Sequence, residues 1–184
     1  SVSILSVPGV VGSVFATGGA AGLVLQAPGS AVSLRNLAIV HLGSSSHGVD
    51  VKQAASFDIA DCEVANVQGV GIYAESLMRL AIRDCDIHGV AQSGILIAGN
   101  AFASIERTTI RGGLIQAILA MGSSNVSISA SRLVHNGSGL RVAGGNPTRV
   151  TVDDTVISGN AAEGVALVTP APVQAVFTRT AMVH

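Results

Sequence analysis

The sequence predicts an all-β chain wound as a parallel solenoid of about seven to eight coils of roughly 23 residues each. Three observations predict it. One pattern is written twice in succession, "FDIADCEVANVQGVGIYAES" at 57–76 and "LAIRDCDIHGVAQSGILIAG" at 80–99. Inside each copy the apolar residues alternate with period two, which marks strands and not helices. The 22 glycines are spread along the chain instead of clustering, as repeated turns require.

The register follows from taking Ile59 as an anchor. Its equivalents are Leu34, Ile82, Ile105, Ile128, Val152 and Phe177. Two residues before each anchor stand Val32, Phe57, Leu80, Ala103, Val126, Val150 and Ala175, completing the inward row of a first strand. Alternation then breaks. The third residue after the anchor is Leu37, Cys62, Cys85, Thr108, Ser131, Thr155 or Thr180, and the break before it places a bend. Alternation resumes at Ile39, Val64, Ile87, Ile110, Leu133, Ile157 and Met182. A second short strand centres on Val49, Ile72, Ile95, Ile118, Leu140 and Val165. Such a unit cannot bury its own apolar row, so each copy must be the floor for the next. Stacking at the ordinary strand spacing puts equal offsets about 4.8 Å apart. Leucine-rich repeats have a similar period, but their Leu pattern and helical arc are not found.

The chain reads as one domain over 1–184, with regular coils over 31–184 and a wider, irregular first coil over 1–30. In that first coil Val2 and Ile4 fit the first strand, Leu23 and Leu25 fit the second, and the Gly-rich stretch between them reads as a long loop. Residues 1–34 carry no charge, yet six glycines with Pro8 and Pro28 interrupt them too often for a membrane-spanning helix. There is no basic leader region, so the chain is expected to begin in mid-repeat, with any export signal upstream.

Composition narrows the function classes. Hydrophobic residues make up 48% and aromatics only 3%, with no Trp, so the core is built from Val, Ile, Leu and Ala. Charged residues are 11% and the net charge is −1, which leaves no electrostatic footprint for nucleic acid. Lys52 is the single lysine.

Units such as "VSLRNLAIVHLGSSSHGVDV", "LAIRDCDIHGVAQSGILI" and "VTVDDTVISGNAAEGVAL" resemble the right-handed parallel β-helix repeats of the pectate-lyase-like superfamily, bacterial members of unassigned role above all. The resemblance implies a single-stranded, right-handed β-helix and an extracytoplasmic or secreted location. It leaves function open, because this fold serves lyases, hydrolases, epimerases, adhesins and non-enzymes. Pectate lyases hold calcium with carboxylates on an outer strand face and use a nearby arginine as base. Carried over, this makes Asp61, Glu63, Asp84 and Asp86 calcium candidates, and Asp61, Asp84, Arg83 and Arg107 catalytic candidates. The competing reading of the same residues is a solvated face whose acids are offset by Arg83, Arg107 and Arg111.

Other side chains stand out less. His41, His47 and His88, near Asp50 and Lys52, read as exposed loop histidines, and His135 and His184 as isolated ones. Cys62 and Cys85 share an inward slot that takes small side chains in other coils, so two free thiols are expected. Phe57, Phe102 and Phe177 are expected in or near the core. Ser104, Ser127 and Thr151 share one outward row. Along the second strand, outward positions gather Leu96, Leu119, Met121 and Val168 into an apolar face, expected to be the interface of a homo-oligomer, most simply a dimer.

Two functions from different classes follow. One is a non-catalytic exported scaffold or binding module, associated with a polysaccharide and needing no cofactor. The other is a carbohydrate-active lyase or epimerase built on the acids and arginines above, with calcium as the ion they would suit.

Overall fold

The computed structural model describes residues 1–7, 10–43, 46–75 and 77–183, leaving aside the side chains of Leu77 and Met78. Every element among them is a strand. In chain order they are β1 (Val2–Leu5), β2 (Gly12–Ala16), β3 (Leu23–Arg35), β4 (Leu37–His41), β5 (His47–Ala60), β6 (Glu63–Ala65), β7 (Val70–Ala74), β8 (Leu77–Arg83), β9 (Asp86–His88) and β10 (Ser93–Ile97). The same cycle continues with β11 (Phe102–Glu106), β12 (Thr109–Arg111), β13 (Gln116–Met121), β14 (Asn125–Ser129), β15 (Arg132–Val134), β16 (Ser138–Ala143), β17 (Thr148–Asp153), β18 (Val156–Ser158), β19 (Val165–Val168), β20 (Val173–Thr178) and β21 (Ala181–Val183).

All pairings are parallel, and each strand pairs with its counterpart one coil away. The eight-stranded sheet β2-β4-β6-β9-β12-β15-β18-β21 is one face of the solenoid. The other two faces, one from first strands and one from second strands, merge into a thirteen-stranded sheet because β3 and β5 run unbroken around the corner between them. The anchors are Cα partners from Leu34 through Ile59, Ile82, Ile105, Ile128 and Val152 to Phe177. Ile4 joins the column opposite Leu34. Ile39 through Met182 form the column on the next face, and Val49 through Val165 the third. These three inward columns meet in one core of aliphatic side chains.

The bend after each anchor has a definite backbone. Asn36, Asp61, Asp84, Arg107, Ala130, Asp154 and Arg179, each two residues past its anchor, have φ between 44° and 55°. This left-handed conformation turns the chain sharply, and Asn and Asp are the side chains that tolerate it best. A second corner repeats the device at Asn66, Gly89, Gly112, His135 and Gly159. The glycine at the start of the second strand answers a different need. A Cβ on Gly71 would lie 2.5 Å from the carbonyl oxygen of Gly94 in the next coil.

The inward slot after the first corner requires more than small size. Thr108, Ser131 and Thr155 donate their hydroxyls to the carbonyl two residues back, at 3.0, 2.7 and 2.8 Å. The backbone N–H groups of Cys85 and Thr108 in turn donate to the hydroxyls of Thr108 and Ser131. Cys62 and Cys85 fill the same slot with S–H donors, to the carbonyls of Ala60 and Arg83, both at 3.1 Å. Both are free thiols. At the second corner Asn136 and Asn160 form a short buried ladder, with the Asn136 amide donating to the carbonyls of Ile110 and Val134 at 3.1 Å. In the first-corner slot these bonds give a second donor to carbonyls that already accept a backbone N–H from the neighbouring coil, as Arg83 and Glu106 do from Asp61 and Asp84.

Two expectations need correction. The Gly-rich stretch of the first coil is not wholly a loop: Gly12–Ala16 is strand β2, in register with β4. Val14 therefore lies ten residues after Ile4, where Ile39 lies five after Leu34, so the extra length of this coil falls before β2. Phe102 is not in the core but 63% exposed. It sits three residues before its anchor, and an odd offset on a strand points outward.

Candidate functional site

The acidic candidates come together at the corner between the first-strand face and the eight-stranded face. Asp61 and Asp84 occupy successive left-handed corner positions, and Glu63 stacks on Asp86 as its Cα partner. With Leu37, Cys62, Cys85 and Arg107 they line a shallow depression of about 520 Å³.

Their charges are largely spoken for by the neighbouring coil. Arg107 grips Asp84 with two bonds, Nε to Oδ1 at 2.7 Å and Nη2 to Oδ2 at 2.9 Å, and also contacts Glu106. Arg111 donates to Asp86 at 2.7 Å, and His88 Nε2 lies 2.9 Å from Glu63 Oε1. Arg83 turns to the first-strand face and donates to Asp58 at 2.6 Å. The hydrogen-bonded guanidinium of Arg107 holds the Asp84 carboxyl below its usual range. The same contacts raise Arg107, and the Asp58 hydrogen bond raises Arg83. An arginine must shed its proton before it can act as a general base, which the raised Arg83 and Arg107 resist, and a carboxylate held as low as Asp84 is a weak proton acceptor. Among the described residues no three His, Cys, Asp or Glu side chains are placed to hold a metal ion together. Three of the four carboxylates proposed for calcium face a basic side chain: Asp84 with Arg107, Asp86 with Arg111 and Glu63 with His88.

The thiols are chemically quiet. Burial, the main cause, raises Cys62 and pushes Cys85 up to about 12. The thiolate needed for nucleophilic work or metal binding is suppressed. The histidines depart from expectation. His41 ends strand β4 and is only 3% exposed, and His47 and His88 are strand residues of intermediate burial. His135 is an exposed corner residue, and His184 lies outside the described residues.

A groove of about 310 Å³ on the outer first-strand face was not singled out by sequence. Its rim is a column of Cα partners, Arg79, Phe102, Asn125 and Arg149, on β8, β11, β14 and β17. Its floor is the small-residue row Ala81, Ser104, Ser127 and Thr151, the last three being the outward row read from sequence. Phe102 presents an open aromatic face. Three strand spacings separate the two arginines, about 14 Å. Arg149 donates to Gln174 at 2.8 Å, and Arg79 has no ion pair among the described residues.

The second-strand face carries the expected interface residues. Leu96 and Leu119 are Cα partners, and Met121, Ala143 and Val168 follow one another in the next outward row. Met121 and Val168 are exposed, while the two leucines are half-buried by stacking on each other. At one end of this face Lys52 lies 3.2 Å from both Asp50 and Glu75, with its ammonium over the Tyr73 ring. No helix among the described residues is long and apolar enough to cross a membrane.

Comparison with curated proteins and with solved structures finds no match. The family model described as "right handed beta helix region" matches residues 21–177, from the second strand of the first coil to the last anchor. The chain thus belongs to the right-handed β-helix family.

Proposed function

We propose that this chain is a non-catalytic, exported β-helix that binds an extended acidic carbohydrate along its first-strand face. The observation that carries the reading is Phe102, 63% exposed in a chain with 3% aromatics, set between Arg79 and Arg149 over a floor of small polar residues. An aromatic face packs on the apolar side of a sugar ring, and guanidinium groups take carboxylates in pairs of hydrogen bonds. The flat floor admits a chain-like ligand with no side pocket. The paired charges at the acidic corner support a structural role there, and the reading requires no cofactor. Self-association through the second-strand face belongs to the same proposal, because it leaves the groove open to solvent.

The test is titration calorimetry with uronate oligosaccharides and with neutral oligosaccharides of equal length. Binding of the uronates alone, weakened by salt and reduced ~10-fold or more (about 1.4 kcal/mol) in Phe102→Ala, is the expected result. The same mixtures, with and without calcium, are followed for ultraviolet-absorbing unsaturated products. Their appearance would replace this reading by the lyase alternative on Asp61, Asp84, Arg83 or Arg107. Unchanged affinity in Phe102→Ala would remove the groove from it.

A further inference from the structure

The second-strand face is unevenly charged along the solenoid. Its outward column runs Asp50, Tyr73, Leu96, Leu119, Arg141 and Ala166, each the Cα partner of the next. Acid and aromatic groups lie at one end, the leucines in the middle, and Arg141 at the other. Glu75, beside Tyr73, adds a second carboxylate at the acidic end, where Lys52 lies 3.2 Å from both acids and leaves one negative charge in excess. Arg141 itself has no ion pair among the described residues.

We propose that this face pairs with a second copy of the chain about a two-fold axis that lies in the interface, parallel to the strands, between Leu96 and Leu119. The proposal rests on the self-association above and adds its geometry. Such an axis reverses the order of coils while keeping equal strand positions opposite each other. Leu96 then meets Leu119 of the second copy, and Arg141 meets Tyr73, with Glu75 one row away. Both contacts occur twice, as an isologous interface requires. The guanidinium comes to the end that carries the net negative charge of Asp50, Glu75 and Lys52, beside the Tyr73 ring that Lys52 already faces. The other in-plane axis, along the solenoid, would set each coil against itself. Arg141 would face Arg141, and like charges in register oppose pairing.

Six coils by a five-residue strand make a face of about 24 by 16 Å, roughly 400 Å² per copy. That is about half of a standard interface, so the dimer is a reversible one. Sedimentation velocity over roughly 10–500 µM spans the range such a small interface calls for. A concentration-dependent dimer that weakens with salt is expected. Arg141→Glu should weaken it at least ~10-fold with unchanged melting, and Arg141→Glu with Glu75→Arg should restore it, although the second change removes the Lys52–Glu75 pair. Leu119→Arg should abolish it without loss of the β spectrum. A monomer at every concentration overturns both the self-association and its geometry. A dimer that Leu119→Arg abolishes, but that is indifferent to salt and to Arg141→Glu, overturns the axis alone. The carbohydrate reading is untouched by either result, since its groove lies on the other face.

Discussion

Ile105→Ala measures how far the stacked register governs stability. Ile105 is fully buried on β11, with Ile82 and Ile128 as Cα partners on either side. The substitution removes three carbons, which at about 0.8 kcal/mol per buried CH₂ costs roughly 2.4 kcal/mol. Sheet hydrogen bonds fix the neighbouring coils at their spacing, so the void cannot collapse, and the total rises to about 3–4 kcal/mol. For a chain of this size that lowers the melting temperature by roughly 6–16 °C. Phe102→Ala removes more carbon but from an exposed outward position, and should cost under about 1 kcal/mol. Urea and thermal unfolding followed by circular dichroism compare the two. A cost below about 1 kcal/mol for Ile105→Ala, or the reverse order, would refute the assignment of inward and outward rows. Ile105→Asp, which buries a charge without a partner, should give insoluble protein.

The remaining predictions concern titratable groups. Cys62 and Cys85 should react as two thiols once the protein is denatured without reductant, and far more slowly in the native state, as a thiol-specific colorimetric titration would show. Replacing both with Ser should cost about 1 kcal/mol or less each, because Ser131 already makes the same bond in that column. Burial lowers His41 below its ordinary 6.5, although the nearby His47 backbone carbonyl opposes the shift. The unfolded chain therefore binds the proton more readily. The stability this provides is complete above pH 6.5 and is lost as pH falls from there through the lowered folded value. His41→Leu should flatten the fall in melting temperature between neutral and mildly acid pH, and an unchanged slope would show that His41 does not titrate on unfolding.

The repeat alone determined the architecture, because a solenoid lays each coil on the one before it and so turns sequence offset into spatial position. Ile59, Ile82 and Ile105 could be stacked on paper for that reason, and so could Leu96 on Leu119. Offsets also placed Asp61 and Asp84 in neighbouring corners. What offsets could not decide was how the backbone turns between faces. Only the structure shows the corner after each anchor to be left-handed, so that Asp61 and Asp84 stand where Asn, Arg and Ala stand in other coils. The small inward slot likewise reads in sequence as a matter of size, whereas its hydroxyls and thiols are chosen to reach a carbonyl two residues back. Charge pairing is decided by side-chain reach across coils: Arg83 turns to Asp58 and Arg107 to Asp84, although both lie near the same acids in sequence. Phe102 marks the limit from the other side. Its odd offset already pointed outward, but only the stacked faces set Arg79 and Arg149 in one column with it and made a groove of residues that are distant in the chain.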